Sequence, residues 1–266
     1  MEAIKIIDTA SENILDFGIC GYKSMKTPGF PEKVAWLKER FREGMKIKTL
    51  YHERDGAQGM IEYLPGEYCW RPVQAQGYLF IHCLFVGFKR VHKSKGYASL
   101  LLDECERDAR SENRHGVAVV TRESAFMVGK GIFLKRGFEV VDHAPPDFEL
   151  LVKKFAETAP APKFTGNWDN KLSRYGKGLT IIRADQCPYT VKNVSEIRDS
   201  AERLYGIKPE VIDLQNCAEA QNAPCAFGTF CIIFDGEIIA DHPISNRRFT
   251  NIMDTILGRS SGAGRR

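Results

Sequence analysis

The sequence predicts a mixed α/β protein, and three observations support this fold class. Short runs rich in branched and aromatic residues alternate with stretches whose apolar residues recur at helical spacing. In the middle of the chain, an apolar run at 79–86 is followed by a glycine-containing turn at 93–98. An amphipathic stretch at 99–109 and a second apolar run at 116–121 come next. Two strands joined through a helix predict a parallel pair, because parallel strands need a long crossover connection.

The composition narrows the class of protein. The chain has 266 residues, of which 43% are hydrophobic and 27% are charged, which is ordinary for a globular protein of one or two domains. The formal net charge is only +4, so we expect no nucleic acid as a partner. No apolar run approaches the ~20 residues that cross a bilayer, and the N-terminus lacks a signal-peptide pattern. We therefore expect a cytoplasmic protein that binds no membrane.

The eight cysteines are scattered along the chain, and none of the paired C-x-x-C spacings of metal sites is present. We therefore expect reduced thiols and no metal site.

Residues 1–155 are predicted to form a first domain. Its helices are expected near residue 14 and at 32–43, 99–109 and 125–136, and its strands at 4–7, 48–51, 59–64, 79–86, 116–121, 137–141 and 148–155. The run at 116–121 is almost wholly apolar, which is typical of a strand at the centre of a sheet. The last strand is expected at an edge of the sheet.

An Ala/Pro-rich stretch then predicts a linker at 156–178, and a second α/β domain is predicted at 179–257. Asp235-Gly236 between two apolar runs predicts a β-hairpin. The Gly/Ser/Arg-rich tail at 258–266 is expected to be disordered. The remaining elements of this domain are strands at 179–183 and 209–214 and helices at 191–205, 216–222 and 246–257.

The turn at 93–98, with the sequence KSKGYA, is predicted to bind an anion. It lies between a strand and the start of a helix, where main-chain N–H groups are free and the helix dipole is positive. Lys93 and Lys95 add positive charge. A pyrophosphate group is the ligand that such a turn fits.

The first domain resembles the GNAT acyl-CoA N-acyltransferases. The resemblance rests on the order of elements, on Lys93-x-x-Gly96-x-Ala98 opening a helix, and on the run IFLKRGF at 132–138. It covers roughly residues 1–155, and it implies a GNAT fold, an acetyl-CoA cofactor and transfer of an acetyl group to an amine. In that family the first position of the turn is Gln or Arg, which Lys93 replaces here.

The resemblance also implies which residues hold the cofactor. Main-chain N–H groups of the turn would bind the pyrophosphate, and N–H groups at the end of the preceding strand would polarise the thioester carbonyl. The implied cofactor residues are Val86, Gly87, Phe88, Lys93, Ser94, Lys95, Gly96, Tyr97, Ala98, Ser99 and Phe133.

Two side chains are candidates for the general base, and the choice between them stays open. His82 is the polar residue within an apolar strand, and it is either functional or a hydrogen-bonded core histidine. Glu62 interrupts another apolar strand, and a strand glutamate often serves as base in the GNAT family; a solvent-facing glutamate is the alternative. Glu67, Trp70 and Arg71 lie between two strands and are candidate substrate anchors, or form a salt-bridged surface loop.

Phe133 departs from the family at the general acid. The resemblance implies a Tyr five residues before the Phe of the Gly-Phe pair, and Phe133 cannot donate a proton. Either the thiolate leaves unassisted, or Tyr97 or water substitutes, or the domain binds the cofactor without catalysis.

The second domain resembles thioredoxin and glutaredoxin folds, with CPYT at 187–190 in place of the active-site turn. Cys187 would then lie at a helix N-terminus, where the dipole lowers a thiol pKa. Thr190 replaces the second cysteine, so a disulfide with Cys187 would need Cys217, Cys225 or Cys231. The pairing of the two domains resembles the bacterial YoaP-like acetyltransferases, whose YoaP-like region would cover about 208–254.

Three functions therefore remain open. The first is an acetyl-CoA-dependent N-acetyltransferase acting on a primary amine of a small molecule or peptide. The second is a thiol redox or sensor protein that uses Cys187 and binds CoA as a ligand. The third is a non-catalytic CoA-binding protein. A homodimer is compatible with each of them.

Overall fold

The computed structural model describes residues 4–259 and contains two main sheets, which confirms the mixed α/β class. The predicted disorder at 260–266 lies outside the described residues. Gly258 and Arg259, which belong to the predicted tail, continue from the last helix, and the Arg259 guanidinium donates to the carbonyl of Leu204 at 2.6 Å. Among the residues described, no helix combines the length and the apolar character that crossing a bilayer requires.

The first part of the chain is built on a seven-stranded sheet with the order β1-β2-β3-β5-β6-β8-β7. All neighbours are antiparallel except β5 and β6, which are parallel as predicted. The strands are β1 (Ile4–Thr9), β2 (Lys46–His52), β3 (Gly56–Pro65), β5 (Tyr78–Val86), β6 (Gly116–Thr121), β7 (Glu139–Ala144) and β8 (Phe148–Lys154), and the helices are α1 (Ile14–Phe17), α2 (Phe30–Arg42), α3 (Tyr97–Ser111) and α4 (Gly131–Leu134).

Helix α3 joins the parallel strands and covers one face of the sheet. Its buried residues Leu101, Leu102, Cys105 and Ala109 recur at helical spacing and pack on apolar residues of β5 and β6. Burying this face accounts for the stability of the helix, because an isolated helix of this length is marginal in water.

Strands β5 and β6 separate towards their carboxyl ends. Their pairing ends at Ile81 and Val119, whereas β5 stays paired with β3 as far as Val86. The edge of β5 at 82–86 therefore faces a gap instead of a neighbouring strand.

Two predictions for the first part are wrong. β8 lies inside the sheet between β6 and β7, so β7 is the edge strand; strand order depends on non-local pairing that local sequence does not encode. The predicted helix at 125–136 is reduced to α4 (Gly131–Leu134). Phe126 has a φ of 64°, which a helix cannot contain, and Gly129 and Gly131 weaken helical structure here.

The second part contains a four-stranded sheet with the order β11-β10-β12-β13. β10 and β11 are parallel, and the other two pairs are antiparallel. The predicted hairpin is confirmed, because Asp235 and Gly236 both have positive φ between β12 and β13. Its elements are β10 (Leu179–Arg183), α6 (Tyr189–Tyr205), β11 (Glu210–Asp213), α7 (Cys217–Gln221), β12 (Phe230–Phe234), β13 (Glu237–Ala240) and α8 (Asn246–Ile256).

The connection between the two parts is ordered and packed against both. Its strand β9 (Lys163–Phe164) pairs with β4 (Val73–Gln74), and its helix α5 (Trp168–Leu172) donates a hydrogen bond from Lys171 to the carbonyl of Gln221. One apolar core runs from Phe80 and Leu150 in the first part to Ile181 and Phe230 in the second. The stretch predicted as a linker therefore contributes to a shared core.

Candidate functional site

A cavity of about 460 Å³ lies where the two parts meet, and we call it the central cavity. Residues of β3, β5, β6 and the loop at 126–128 form most of its wall, and the second part contributes Gln186, Cys187, Tyr189 and Phe227. The gap between β5 and β6 belongs to this cavity, because Ile81, Leu84, Phe85, Val119 and Val120 line it.

Glu62 is fully buried at the cavity wall. Its Oε2 accepts a hydrogen bond from the Lys33 ammonium at 2.6 Å, and its Oε1 accepts one from the Gln186 amide at 3.1 Å. A carboxylate can accept about four hydrogen bonds, so lone pairs remain for a substrate or a water molecule. The Lys33 charge keeps this buried carboxylate compensated.

His82 is the extra residue of a β-bulge between β3 and β5. Glu62 pairs with Cys83 and Tyr63 pairs with Ile81, so His82 has no counterpart on β3, and the bulge redirects its side chain. Its Nε2 accepts the main-chain N–H of Trp70 at 2.9 Å, which requires the proton to reside on Nδ1. Burial and the nearby Arg71 and Lys33 charges hold the His82 pKa well below its usual range.

The His82 Nδ1–H is buried without a partner among the described residues, although the ring lines the cavity. A neutral imidazole whose Nε2 is already an acceptor offers a hydrogen-bond donor, not a base. Geometry therefore favours Glu62 over His82 for proton removal.

Arg71 is the one predicted substrate anchor that lines the cavity. Its guanidinium is buried, lies 4.1 Å above the Phe227 ring and forms no ion pair within residues 4–259; its Nη1 has no partner. Burial lowers the Arg71 pKa to about 10, so the group remains charged at neutral pH.

The other two predicted anchors lie elsewhere. Trp70 is fully buried against Trp36, with ring centroids 5.2 Å apart. Glu67 is exposed, accepts the Gly77 N–H at 2.9 Å and pairs with Arg114. Glu67 belongs to a 3-10 helix at Gly66–Tyr68 and the chain bends at 70–72, so the three side chains do not share one face.

Cys187 lines the cavity immediately before α6, together with the half-buried Cys20 and Cys83. Burial raises the pKa of the Cys187 thiol, and this effect outweighs the main-chain N–H groups of Tyr189 and Thr190 that favour a thiolate. The Cys187 pKa is therefore raised overall and not lowered as expected for a helix N-terminus. Cys225 and Cys231 are buried within the second part and do not line this cavity.

The turn at 93–98 lies between β5 and α3, as predicted. Ser94 and Gly96 have φ of 58° and 78°, and Gly96 precedes the first residue of α3. Within the described residues, the main-chain N–H groups of 94–98 donate to no protein acceptor. A Cβ added at Gly96 would meet no atom within 4 Å, so the space beside this residue is open.

A hydrogen-bonded cluster holds the segment before this turn. The Asp55 carboxylate lies 2.7 Å from His92 Nε2 and 2.5 Å from the Lys89 ammonium, and these contacts lower the Asp55 pKa to about 2. His52, Asp55 and His92 have donor atoms within 4.8 Å of one another, as in a metal site. However, His52 Nδ1 already accepts the Asp55 N–H at 3.2 Å, and Lys89 brings a positive charge.

The predicted cofactor residues before the turn differ in what they can donate. The Gly87 N–H donates to the Gln58 carbonyl at 2.7 Å, which removes it from the set of oxyanion donors. Phe88 lines the cavity beside Phe85, and Val86 is half-buried. Phe133 on α4 also lines the cavity, fully buried against Phe138 at 5.4 Å.

The polar side chains of Lys33, Gln186 and Tyr189 lie at or beside the cavity and were not predicted as site residues from the sequence. Lys33 could have been identified from the sequence, since it falls on the apolar face of α2 beside Phe30 and Leu37. Gln186 and Tyr189 could not, because their contacts with Glu62 and with the Cys20 carbonyl join positions far apart in the chain.

Known proteins similar to this chain include acetyltransferases. A protein of Bacillus subtilis strain 168, described as the uncharacterized N-acetyltransferase YoaP, is 32% identical over 254 residues, which cover 94% of this chain and 98% of that protein. The YoaP-like family matches residues 210–251.

Solved structures similar to the chain have lower identity. The PaiA N-acetyltransferase of Thermoplasma acidophilum, in complex with coenzyme A, is 18% identical, and the match covers 57% of this chain and 99% of that one with a TM-score of 0.40. A GNAT-family acetyltransferase of Desulfovibrio desulfuricans is 17% identical, with 58% and 100% covered and a TM-score of 0.42. The near full-length match to the Bacillus subtilis protein decides the assignment: the chain belongs to the family of YoaP-like N-acetyltransferases.

Proposed function

We propose that this protein transfers the acetyl group of acetyl-CoA to a primary amine of a small molecule or peptide, and that the reaction takes place in the central cavity. The observation that carries the proposal is the continuity of three features. A turn of free N–H groups follows β5, the unpaired edge of β5 lines the cavity, and the buried Glu62 lies in the same wall.

The residues of the turn fit the pyrophosphate of the cofactor. The N–H groups of 94–98, the N-terminus of α3 and the exposed Lys93 and Lys95 are all donors or positive charges, and Ser99 adds a hydroxyl. The pantetheine arm carries amides that match the unpaired edge of β5 in the way that an added strand would. Val86 and Phe88 lie where this arm would reach, and Phe133 packs beside it.

Glu62 is the proposed general base. Two of its lone pairs are used by Lys33 and Gln186, and the others accept a proton from the attacking ammonium, directly or through water. The amine nitrogen would then attack the thioester carbonyl and the C–S bond would break, with the second proton of the nitrogen passing through water to the departing CoA thiolate. The main-chain N–H of Phe88 stabilises the oxyanion, since the N–H groups of Gly87 and Lys89 both donate to Gln58.

A redox function is not favoured. A thiol whose pKa is raised stays protonated, and the thiolate is the nucleophile in disulfide exchange. We also propose a thioredoxin-like fold for the second part, with which its strand order is compatible. We propose in addition that the protein is cytoplasmic and forms a homodimer. We also propose domain limits at residues 155 and 179.

The proposal is tested by incubating the full chain with acetyl-CoA and a panel of amines and measuring the CoA thiol released. At least one amine should raise the release well above the hydrolysis of acetyl-CoA without amine, with an equal amount of N-acetyl product. Binding of acetyl-CoA without release for any amine would instead support a non-catalytic CoA-binding protein.

A further inference from the structure

The central cavity contains two buried hydrogen-bond donors that the reaction proposed above does not use. Arg71 is 4% exposed and His82 is 6% exposed, and both line the cavity. Arg71 Nη1 and His82 Nδ1 have no partner among residues 4–259. Buried polar groups without partners are rare in folded proteins, so two in one cavity point to a ligand that supplies the acceptors.

The charge of the cavity wall is unbalanced in the same place. Glu62 is compensated by Lys33 at 2.6 Å, whereas Arg71 forms no ion pair within the described residues. A buried guanidinium without a counter-charge is costly. An anion in the cavity would therefore bind at Arg71 and leave the Lys33–Glu62 pair intact.

Both parts of the chain hold Arg71 in place. The Phe227 ring lies 4.1 Å from its guanidinium, and a Cβ on Gly228 would approach the Trp70 carbonyl to 2.6 Å. The backbone of the second part therefore lies directly against the segment that carries Arg71. Stacking on the ring fixes the plane of the guanidinium and leaves its edge for a ligand.

We infer that Arg71 and His82 form a carboxylate subsite, and that the acceptor substrate is a small amino acid. This inference rests on the proposed N-acetyltransferase function. A carboxylate matches the planar fork of arginine and brings one negative charge to one guanidinium, whereas a phosphate monoester brings about two. The amino group of the same molecule then reaches Glu62, and the apolar wall, which includes Met60, Phe85 and Met127, accommodates an apolar side chain.

The test compares the binding of each standard amino acid with that of its carboxamide, measured by calorimetry on the full chain with CoA present. At least one amino acid should bind, and its carboxamide should bind about 10- to 100-fold more weakly, since a charge-assisted bidentate contact is lost. Arg71→Gln should reduce this preference for the acid to near unity. Arg71→Lys keeps the charge without the fork and should retain only part of the preference.

Retained binding of CoA shows that the variants are folded. The inference is overturned if no amino acid binds, if acid and carboxamide bind equally, or if Arg71→Gln keeps the preference. If amines that lack a carboxylate are acetylated and Arg71→Gln does not change the rate, the carboxylate subsite is wrong and the proposed function is supported. If an amino acid binds in an Arg71-dependent way but is not acetylated, the subsite is supported and the proposed function is wrong.

Discussion

Glu62 and Lys33 form an ion pair in which both side chains are fully buried, and Gln186 of the second part donates to the same carboxylate. Such a pair contributes little net stability, but removing one partner leaves an uncompensated buried charge. Substitutions at this pair should therefore affect both the stability of the protein and the proposed reaction.

Replacing Glu62 with Gln should lower the free energy of unfolding by roughly 3–5 kcal/mol, because Lys33 is then buried without a counter-charge. The double variant Glu62→Gln with Lys33→Met should recover most of this loss, since it removes both charges. Urea denaturation measures both effects. Equal stability of the single variant and the native protein would show that the pair is not buried as described.

His82 makes the stability depend on pH. Its pKa is lowered in the folded state, so the unfolded chain binds more protons as the pH falls below about 6.5. The contribution of His82 is therefore complete above that pH and is lost towards the lower folded-state pKa, with a slope of at most about 1.4 kcal/mol per pH unit.

Urea denaturation between pH 4.5 and 7.5 should show this slope in the native protein and a smaller one in His82→Gln. The exposed His143 is the matched control, and His143→Gln should keep the native slope. An unchanged slope in His82→Gln would mean that this imidazole is not held neutral.

At the scale of elements, the turn between β5 and α3 is the proposed anchor of the cofactor. Gly96→Glu should weaken acetyl-CoA binding by at least about 100-fold, because a negative side chain enters the open space beside this residue and repels phosphate. Gly206 is the matched control, since it has a φ of 68° and equally open space at the end of α6. Calorimetry of both variants checks this. If Gly206→Glu weakens acetyl-CoA binding equally, the effect of Gly96→Glu is explained by backbone strain and not by repulsion of phosphate.

The elements differ in how far the sequence predicts them. The segment from β5 to β6 is predictable because its apolar residues recur with the period of a strand, then a helix, then a strand. Helix α4 is shorter than predicted because Phe126 has a positive φ and Gly129 and Gly131 weaken helical structure. The interior position of β8 and the contact between Gln186 and Glu62 are non-local, so no local pattern indicates them.

At the scale of the whole molecule, the two parts share one apolar core and one cavity. Gly29 at the start of α2 lies so close to Pro188 that a Cβ would be 1.9 Å from its carbonyl oxygen. Gln221 adds a hydrogen bond to the Cys69 carbonyl at 3.0 Å. The second part therefore completes the wall of the site, which gives a physical reason for its covalent link to the first.

The shared core predicts one cooperative unfolding transition for the two parts. Tryptophan fluorescence reports mainly on Trp36 and Trp70 in the first part, and far-ultraviolet circular dichroism reports on both. Urea titrations followed by the two signals should coincide within error. Two separate midpoints would show that the parts unfold independently.

The proposed acetyl transfer in the central cavity depends on Glu62 as the base. The rate of CoA release, with saturating acetyl-CoA and the best amine of the panel, tests this dependence in the native protein and in the double variant Lys33→Met with Glu62→Gln, which leaves no unpaired charge at these two positions. The double variant should be at least about 100-fold slower than the native protein, because it has no proton acceptor at position 62. Equal rates for the two proteins would contradict the role of Glu62 as the base.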